Sequence, residues 1–374
     1  MGAVRVIIFH PPEETVASDR GAVPLTTLMA HARDLLVEHQ ATLFRMAGAA
    51  AVDVVRTRSS SFGTALAGYA QEVITARRVR PSRGGYRPDG AIVLGAGAVP
   101  LLRASDARRL VLMAASGMPR ALTNNRYSSD VCALGDLDVL REVPALPGDN
   151  ALPRWLAEHA GMVVDELPGR DRLALDLDTP LDLALLSLTH GLPPGLRRLA
   201  ASERLAVPRL GELRAVMADG TRELLVAGRG SARGLAWLER HAACRVRFLV
   251  EERGLRASTN LAQAIPTADA RPPRTTLGRL LEARGGPASL AATVGGLADG
   301  ALLDTRVLLA DRLGPDERTW PIAEDRYASD LLRPAGIRDA WLRDLTTAAA
   351  TAPLPILLGG HTLVGPGLRL LTGA

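Results

Sequence analysis

The chain has 374 residues, which is more than one hydrophobic core usually serves, so we expect two domains. Charged residues make up 23% of the chain, and no stretch of about 18 uninterrupted apolar residues occurs, which argues against a membrane span. The net charge of +5 is small for this length and aromatic residues make up only 3%, which disfavours nucleic acid as a partner.

Residue usage narrows the chemistry and the compartment. All 45 basic residues are arginine, which a high-GC genome explains; the lack of lysine excludes a P-loop and Schiff-base chemistry. The two cysteines, Cys132 and Cys244, fall in different predicted domains, which argues against a disulfide framework and a cysteine-rich metal site. The N-terminal apolar run is too short for a signal peptide, so we expect a cytoplasmic protein.

The first elements follow the order strand, long helix, strand, helix. Apolar runs and helical spacing place them at residues 4–9, 26–47, 52–55 and 64–73. This order is typical of a Rossmann-like α/β half. Between the second strand and its helix lies a serine-rich loop in which Ser60 and Ser61 could hold a phosphate, although helix capping explains them as well.

A further apolar strand follows Asp89-Gly90, and a short one is expected at residues 110–114. The next loop is unusually rich in hydrogen-bonding groups: Asn124, Asn125, Ser128, Ser129 and Asp130. Substrate recognition and a structural turn explain this loop equally well.

The segment from Leu173 to His190 has the clearest pattern in the chain. Leucines at 173, 175 and 177 alternate with Ala174, Asp176 and Asp178, which predicts a strand with both carboxylates on one face. Thr179 then suits a helix N-cap, with Pro180 at the first helical position. Carboxylates beside a helix N-terminus suit a Mg²⁺–nucleotide complex.

The run D-L-D-T-P-L-D-L, residues 176–183, resembles the closing strand and helix of nucleotidyltransferases of the glycosyltransferase-A type. Molybdenum-cofactor nucleotidyltransferases and 2-phospholactate guanylyltransferase are the most similar in pattern. The resemblance covers roughly residues 1–200 and implies a Rossmann-like nucleotidyltransferase-type sandwich. It also implies that Asp178, with Asp176, binds Mg²⁺ while a nucleotidyl group passes from a nucleoside triphosphate to a small phosphorylated acceptor.

The chain departs from that family at two places. The family's first loop is Gly-rich and basic, whereas here the loop contains one glycine and one arginine. That arginine, Arg20, is the expected phosphate contact. The family's central strand ends in D-x-P with a metal-binding Asp; Pro100 matches, but Ala98 stands at the Asp position, so Asp106 or Asp130 would have to supply the carboxylate. A catalytically degenerate sensor or scaffold that binds a nucleotide or phospho-ligand is the alternative.

The pattern of residues 208–374 predicts a second, smaller Rossmann-like α/β domain, which joins the first domain near residues 195–210. Gly228, Gly230 and Gly234 form G-x-G-x-x-x-G, one residue away from the dinucleotide fingerprint, with Glu251 or Glu252 as a ribose partner; a tight turn also fits. Ser231 is the expected helix cap.

Two more strands, near residues 299–306 and 353–359, end at polar residues. Because parallel strands place ligands at their carboxyl ends, we predict one anion-binding cleft lined by Gly228, Gly230, Ser231, Asp304 and His361. Asp-Gly followed by Arg-Tyr-x-Ser-Asp occurs in both halves, which an internal duplication or chance would explain. The sequence leaves open whether the chain forms a homo-oligomer.

Overall fold

The computed structural model describes residues 2–11, 23–56, 62–77, 90–144, 146, 150–253 and 272–373. The chain is an α/β protein, as predicted, with one mixed and one parallel sheet. It divides into two compact units, Met1–Glu14 with Ala30–Leu177 and Thr15–Met29 with Asp178–Ala374. None of the helices in the described residues is both long enough and apolar enough to cross a membrane.

The first unit contains a six-stranded sheet. Its strands are β1 Val4–His10, β2 Ala51–Arg56, β3 Gly90–Gly95, β4 Arg120–Thr123, β5 Val131–Leu134 and β6 Val163–Glu166. Their order is β2-β1-β3-β5-β4-β6, and β5 runs antiparallel to both of its neighbours. Along β1, Val6 and Ile8 enter one buried cluster while Ile7 and Phe9 enter the other, so both faces of the sheet are covered.

The helices of this half are α1 Leu25–Met46, α2 Phe62–Arg77, α3 Ala104–Ala114, α4 Leu152–Glu158 and α5 Arg170–Leu173. The predicted elements at 4–9, 26–47, 52–55 and 64–73 are therefore confirmed. The first turn of α1 groups with the second unit because the Glu324 carboxylate accepts hydrogen bonds from the backbone N–H groups of Leu25 (2.9 Å) and Thr26 (3.0 Å).

Two predicted strands are wrong. Residues 110–114 end helix α3, in which Ala107, Leu110, Val111 and Ala114 are buried at helical spacing. Residues 174–178 join no sheet among the described strands, although Leu173, Leu175 and Leu177 are buried as the alternation predicted. The Leu177 N–H donates instead to the Gly97 carbonyl at 2.9 Å, so a hydrogen bond to a loop takes the place of hydrogen bonds to a neighbouring strand.

The second unit contains a four-stranded sheet that is parallel throughout. Its strands are β7 Glu223–Gly228, β8 Arg245–Val250, β9 Gly300–Asp304 and β10 Ile356–Gly359, in the order β10-β9-β7-β8. After β7 the chain adds β8 on one side and then β9 on the other. The point between β7 and β9 is therefore the topological switch point, where open α/β sheets bind ligands.

Helices surround this sheet. They are α6 Pro180–Leu186, α7 Pro194–Ser202, α8 Leu210–Met217, α9 Ala232–His241, α10 Thr276–Ala283, α11 Leu290–Gly295, α12 Thr305–Leu313, α13 Ala323–Asp330, α14 Ala340–Thr351, α15 His361–Val364 and α16 Leu368–Thr372. Helix α6 packs against α13 and α16, which places the boundary between the units at Leu177/Asp178 and not near the predicted residues 195–210.

The sequence repeats do not share a structure. Residues 126–130 lie in the turn between β4 and β5, whereas residues 326–330 form the end of helix α13. The two sheets also differ in strand order and direction. An internal duplication is therefore not supported.

The polar loop after β4 is organised by Asn124, which is buried. Its Nδ2 donates to Asp130 Oδ2 (2.7 Å) and to the Leu173 carbonyl (2.8 Å), and its Oδ1 accepts from the Asp130 N–H (3.0 Å). Asn125 makes only the turn contact from its Oδ1 to the Tyr127 N–H at 3.0 Å. These bonds support the structural-turn interpretation for Asn124.

We therefore expect Asn124→Ala to destabilise the protein, at roughly 1–3 kcal/mol for each buried group left unsatisfied. The adjacent Asn125→Ala is the matched control and should cost less than about 1 kcal/mol. Urea unfolding followed by circular dichroism measures both values. Equal effects of the two substitutions would contradict the structural role given to Asn124.

Candidate functional site

Three strand-to-helix turns meet at the carboxyl edge of the four-stranded parallel sheet. They connect β7 to α9, β9 to α12 and β10 to α15, and the turn after β9 is so short that α12 begins at the next residue, Thr305. The predicted cleft residues Gly228, Gly230, Ser231, Asp304 and His361 belong to these turns. Their roles in binding a ligand remain predictions.

Gly228 is required by the close approach of two turns. Its φ is 133°, and a Cβ placed on it would lie 2.2 Å from the Asp304 Cβ. Gly230 and Gly234 serve packing as well, because a Cβ on Gly230 would lie 2.1 Å from Phe248 and one on Gly234 would lie 3.2 Å from Leu368. The glycine spacing is thus explained by tight packing at the strand ends.

Asp304 is a buried carboxylate with several partners. Arg229 donates to it from Nε (2.6 Å) and from Nη2 (3.2 Å), and the Arg306 N–H donates to its Oδ1 (3.1 Å), which makes Asp304 the N-cap of α12. Burial opposes ionisation of Asp304, but the guanidiniums of Arg229 and Arg306 together outweigh burial and hold the pKa of Asp304 below its usual value. The carboxylate is therefore ionised at neutral pH.

A second buried ion pair lies beside the first. Arg306 Nη2 donates to Asp330 Oδ2 at 2.7 Å, and its Nη1 donates to Asp330 Oδ1 and to Thr305 Oγ1. Burial alone would lower the pKa of Arg306, but the carboxylate of Asp330 outweighs burial and raises it. Such a paired guanidinium keeps its charge at every accessible pH.

Gly360 brings the two arginines together. A Cβ placed on Gly360 would lie 3.7 Å from Arg306 Nε and 3.9 Å from Arg229 Nη2. The next residue, His361, contacts the Arg229 carbonyl through its Nδ1 at 2.8 Å. Burial and the Arg229 guanidinium lower the pKa of His361, so the ring is neutral at physiological pH.

Two further arginines extend the positive side of this edge. Arg253, which follows β8, and Arg326, in α13, both form ion pairs with Glu317. Each guanidinium also lies 5.9 Å from the ring centroid of Trp320. Burial and the charge of Arg229 lower the pKa of Arg253, which shows that the two guanidiniums act on each other.

The start of helix α6 lies at the same edge. A Cβ on Gly359 would lie 2.9 Å from the Leu181 side chain, and Asp178 acts electrostatically on His361. As predicted, Thr179 caps α6: its Oγ1 accepts from the Asp182 N–H (3.2 Å), and Asp182 Oδ2 accepts from the Thr179 N–H (2.8 Å). The helix ends at Leu186.

The predicted metal pair lies where the chain passes from the first unit to the second. Asp176 belongs to the first unit and Asp178 to the second, and neither leaves a strand. At position 98, Ala98 is buried and its carbonyl accepts a hydrogen bond from Gln40 Nε2 at 2.6 Å. Within the described residues no group of three or more His, Cys, Asp or Glu side chains could hold a metal ion. Binding of Mg²⁺ by Asp176 and Asp178 remains a prediction.

The other predicted contacts have mixed outcomes. Arg20, Ser60 and Ser61 lie outside the described residues. In the first unit, Ser128 Oγ accepts a hydrogen bond from Asn150 Nδ2 at 3.0 Å, and Asp130 is held by Asn124. These contacts stabilise a turn, and recognition of a substrate by that loop remains a prediction.

Sequence reasoning missed Arg306, Asp330 and Arg253. In the sequence, Asp330 stands out only as the end of a repeated Arg-Tyr-x-Ser-Asp string. Arg306 carries a usable signal, since it lies two residues after the end of a strand. The partner helix α13, which supplies Asp330, could not be placed against it from the sequence.

Asp182 gives this edge a pH dependence. Burial, with added repulsion from Asp178 and Asp330, raises the pKa of its carboxyl group to about 7. An unfolded aspartate titrates near 3.9, so the folded form binds the extra proton over the interval between these values. Stability should therefore fall as the pH rises from about 4 to 7.

We expect Asp182→Asn to remove this loss of stability with rising pH. Relative to the native chain, the variant should gain stability progressively over that pH range, by at most roughly 4 kcal/mol, because one pKa unit is worth about 1.36 kcal/mol. Thr179→Ala removes the capping hydroxyl but keeps the Asp182 carboxylate. It should lower the free energy of unfolding by about 1 kcal/mol at every pH. Denaturant unfolding at several pH values tests both, and a difference for Asp182→Asn that does not change with pH would refute the assignment.

No family model, no curated protein and no solved structure matches this chain.

Proposed function

We propose that the protein binds a nucleotide or another small phosphorylated molecule at the carboxyl edge of the four-stranded parallel sheet. One observation carries the proposal: Arg229, Asp304, Arg306 and His361 converge on the switch point from three separate turns. Arginine is the side chain best matched to phosphate oxygens.

The charges at this edge support an anionic ligand. Four guanidiniums, those of Arg229, Arg253, Arg306 and Arg326, face three ion-paired carboxylates. Ser231 caps α9 at the same edge, with its Oγ accepting from the Gly234 N–H at 3.2 Å, so the helix presents its positive end nearby. Asp178 and Asp182 lie at the same edge, so the proposal depends on the hydrogen-bond donors of the guanidiniums and not on an excess of positive charge.

The proposal predicts that phosphate compounds raise the melting temperature. A ligand that binds only the native state adds RT ln(1 + [L]/Kd), about 2.7 kcal/mol at a concentration of 100 Kd. Pyrophosphate, ATP and GTP, each with and without Mg²⁺, are the probes for thermal unfolding. Arg229→Lys keeps the charge opposite Asp304 but loses the fork of donors, so it should weaken binding about tenfold.

Arg279→Lys is the matched control. Arg279 is also ion-paired, to Asp311 at 2.8 Å, but it lies on α10 and not among the three turns. It should leave the ligand-induced shift unchanged. The proposal fails when no probe shifts the native chain, or when both lysine variants lose the shift equally.

Nucleotidyl transfer to a small phosphorylated acceptor is a second candidate. It is favoured by the D-L-D-T-P-L-D-L resemblance and by the first unit, where the parallel strands β2, β1 and β3 have a switch point between β1 and β3 of the kind that binds nucleotides. In this version the first unit is a Rossmann-like nucleotidyltransferase-type domain, Mg²⁺ assists the reaction, and the chain works in the cytoplasm. Asp178, with Asp176, would hold the Mg²⁺ in this version, and the triphosphate would supply the remaining oxygen ligands.

Restoring the family's carboxylate tests this candidate. Ala98→Asp should create or raise Mg²⁺-dependent release of pyrophosphate from a nucleoside triphosphate, whereas the uncharged Ala98→Asn should not. Thermal unfolding establishes that both variants are folded. A folded Ala98→Asp protein that binds nucleotide but releases no pyrophosphate would favour the binding-only function.

A further inference from the structure

A cavity of the second unit lies between helices α10, α12 and α14. Its volume is about 140 Å³. An apolar cavity of about 150 Å³ holds benzene, so this cavity has room for a ligand whose apolar part is about the size of a benzene ring. The cavity lies towards the end of α12, whereas the turn from β9 lies at the start of that helix, so it is separate from the carboxyl edge of the sheet.

Part of the cavity wall is apolar. Leu281 of α10 and Leu308 of α12 are only 2% and 4% exposed, and Trp341 of α14 is half-buried. An apolar group that enters the cavity leaves water and packs against these side chains, which the hydrophobic effect favours. The wall therefore fits a ligand with an apolar group.

The carboxylate of Asp311 forms a polar part of the same wall, and its side chain is only 5% exposed. Its Oδ1 accepts a hydrogen bond from Arg279 Nη2 at 2.8 Å, and its Oδ2 accepts one from Thr275 Oγ1 at 3.2 Å. A carboxylate can accept about four hydrogen bonds, so Asp311 keeps acceptor capacity for a ligand.

Gly278 makes this position of the carboxylate possible. A Cβ on Gly278 would lie 2.2 Å from Asp311 Oδ2 and 2.4 Å from Thr275 Oγ1, so any other residue would push the carboxylate away. Gly278 also lines the cavity, and its missing side chain adds to the space beside the carboxylate.

Glu282 supplies a second carboxylate to the wall. Its Oε2 accepts from Arg279 Nη1 at 2.6 Å, and the same guanidinium donates to Asp311. Its Oε1 accepts no hydrogen bond from the residues that the structure describes. The two carboxylates of the cavity thus share one arginine, which leaves one negative charge unmatched.

Among the described residues of the wall, Arg312 is the third charged group, and it has other partners. Its guanidinium lies 3.7 Å from the Asp339 carboxylate and 5.3 Å from the ring centroid of Trp341. The charge of Arg312 is therefore balanced by Asp339 and not by the carboxylates of the cavity. The wall combines apolar surface with one unmatched negative charge.

We propose that this cavity binds a small primary amine. The ammonium group of the amine donates to Asp311 and Glu282, and its apolar group packs against Trp341 and the two leucines. An ammonium group has three donors and no acceptor, so a wall that offers carboxylate oxygens matches it. The chain has no lysine, so a second copy of the protein cannot supply the group from a lysine side chain. The inference does not rest on the proposed function.

Isothermal titration of the full chain at neutral pH tests the inference. The probes are benzylamine, benzyl alcohol and benzoate, which carry the same ring with a positive, a neutral and a negative group. Benzylamine should bind about tenfold more tightly than benzyl alcohol, because only the amine makes charge-assisted hydrogen bonds to both carboxylates. Benzoate should bind more weakly than either.

Substitutions of the two carboxylates separate charge from packing. Glu282→Gln, at a side chain that is 65% exposed, should fold normally and weaken benzylamine binding about threefold. Asp311→Asn should weaken it about tenfold. Neither substitution should change the affinity for benzyl alcohol, whereas a collapse of the cavity would lower the affinity for both ligands.

Glu212→Gln is the matched control. Glu212 is an exposed carboxylate on α8 that pairs with Arg209 three residues before it, as Glu282 pairs with Arg279. It lies outside the cavity wall, so its substitution should leave benzylamine binding unchanged.

Equal affinity for benzylamine and benzyl alcohol overturns the inference, as does tighter binding of benzoate. It also fails when benzylamine does not bind at millimolar concentration, or when Glu282→Gln and Asp311→Asn both leave the affinity for benzylamine unchanged. A short lysine-containing peptide that binds more tightly than benzylamine would assign the cavity to a protein partner and would equally overturn it. None of these results depends on the phosphate probes, so the proposed function stands or fails separately.

Discussion

The buried carboxylate of Asp304 is the group on which the carboxyl edge of the second unit depends. An ionised carboxylate away from water is tolerated only when charges and hydrogen bonds surround it. Asp304 receives three hydrogen bonds from Arg229, one of them from its backbone N–H, and one from the start of α12. Removing one partner of such a pair typically costs about 3–5 kcal/mol. The β7 turn and the β9 turn are therefore held together electrostatically as well as by packing.

Steric requirements follow from this pairing. For Arg229 to reach Asp304 the two turns must come into contact, and they do so at Gly228, whose missing Cβ makes the approach possible. Asp330 then becomes necessary for Arg306, which is buried by the same crowding. Each charged side chain at the edge thus has a partner on a different element. Replacing one of them leaves its partner unpaired.

Local signals in the sequence were sufficient for much of the fold. The cap of α6 by Thr179 and Asp182 could be predicted because a capping box depends on residues three positions apart. The strands of the parallel sheet were predictable from short apolar runs. The clustering of Asp304, Gly230 and His361 at one edge followed from the rule that parallel strands end together.

What failed depended on contacts distant in sequence. Residues 173–178 alternate like a strand, but alternation reports only which side chains are buried, and here the backbone of Leu177 bonds to a loop at Gly97. Residues 110–114 are apolar in a row, but they lie in a helix that buries Leu110, Val111 and Ala114 and leaves Leu112 exposed. The pairing of Arg306 with Asp330 joins positions 24 residues apart through packing of α13, which no local pattern encodes.

The same network explains why the site is not simply a positive patch. Arg229 and Arg306 both form ion pairs with carboxylates. These pairs keep the edge nearly neutral and leave neither buried guanidinium unpaired. A ligand at this edge would meet guanidiniums that already donate to carboxylates, so its affinity would depend on the geometry of its hydrogen bonds more than on net charge.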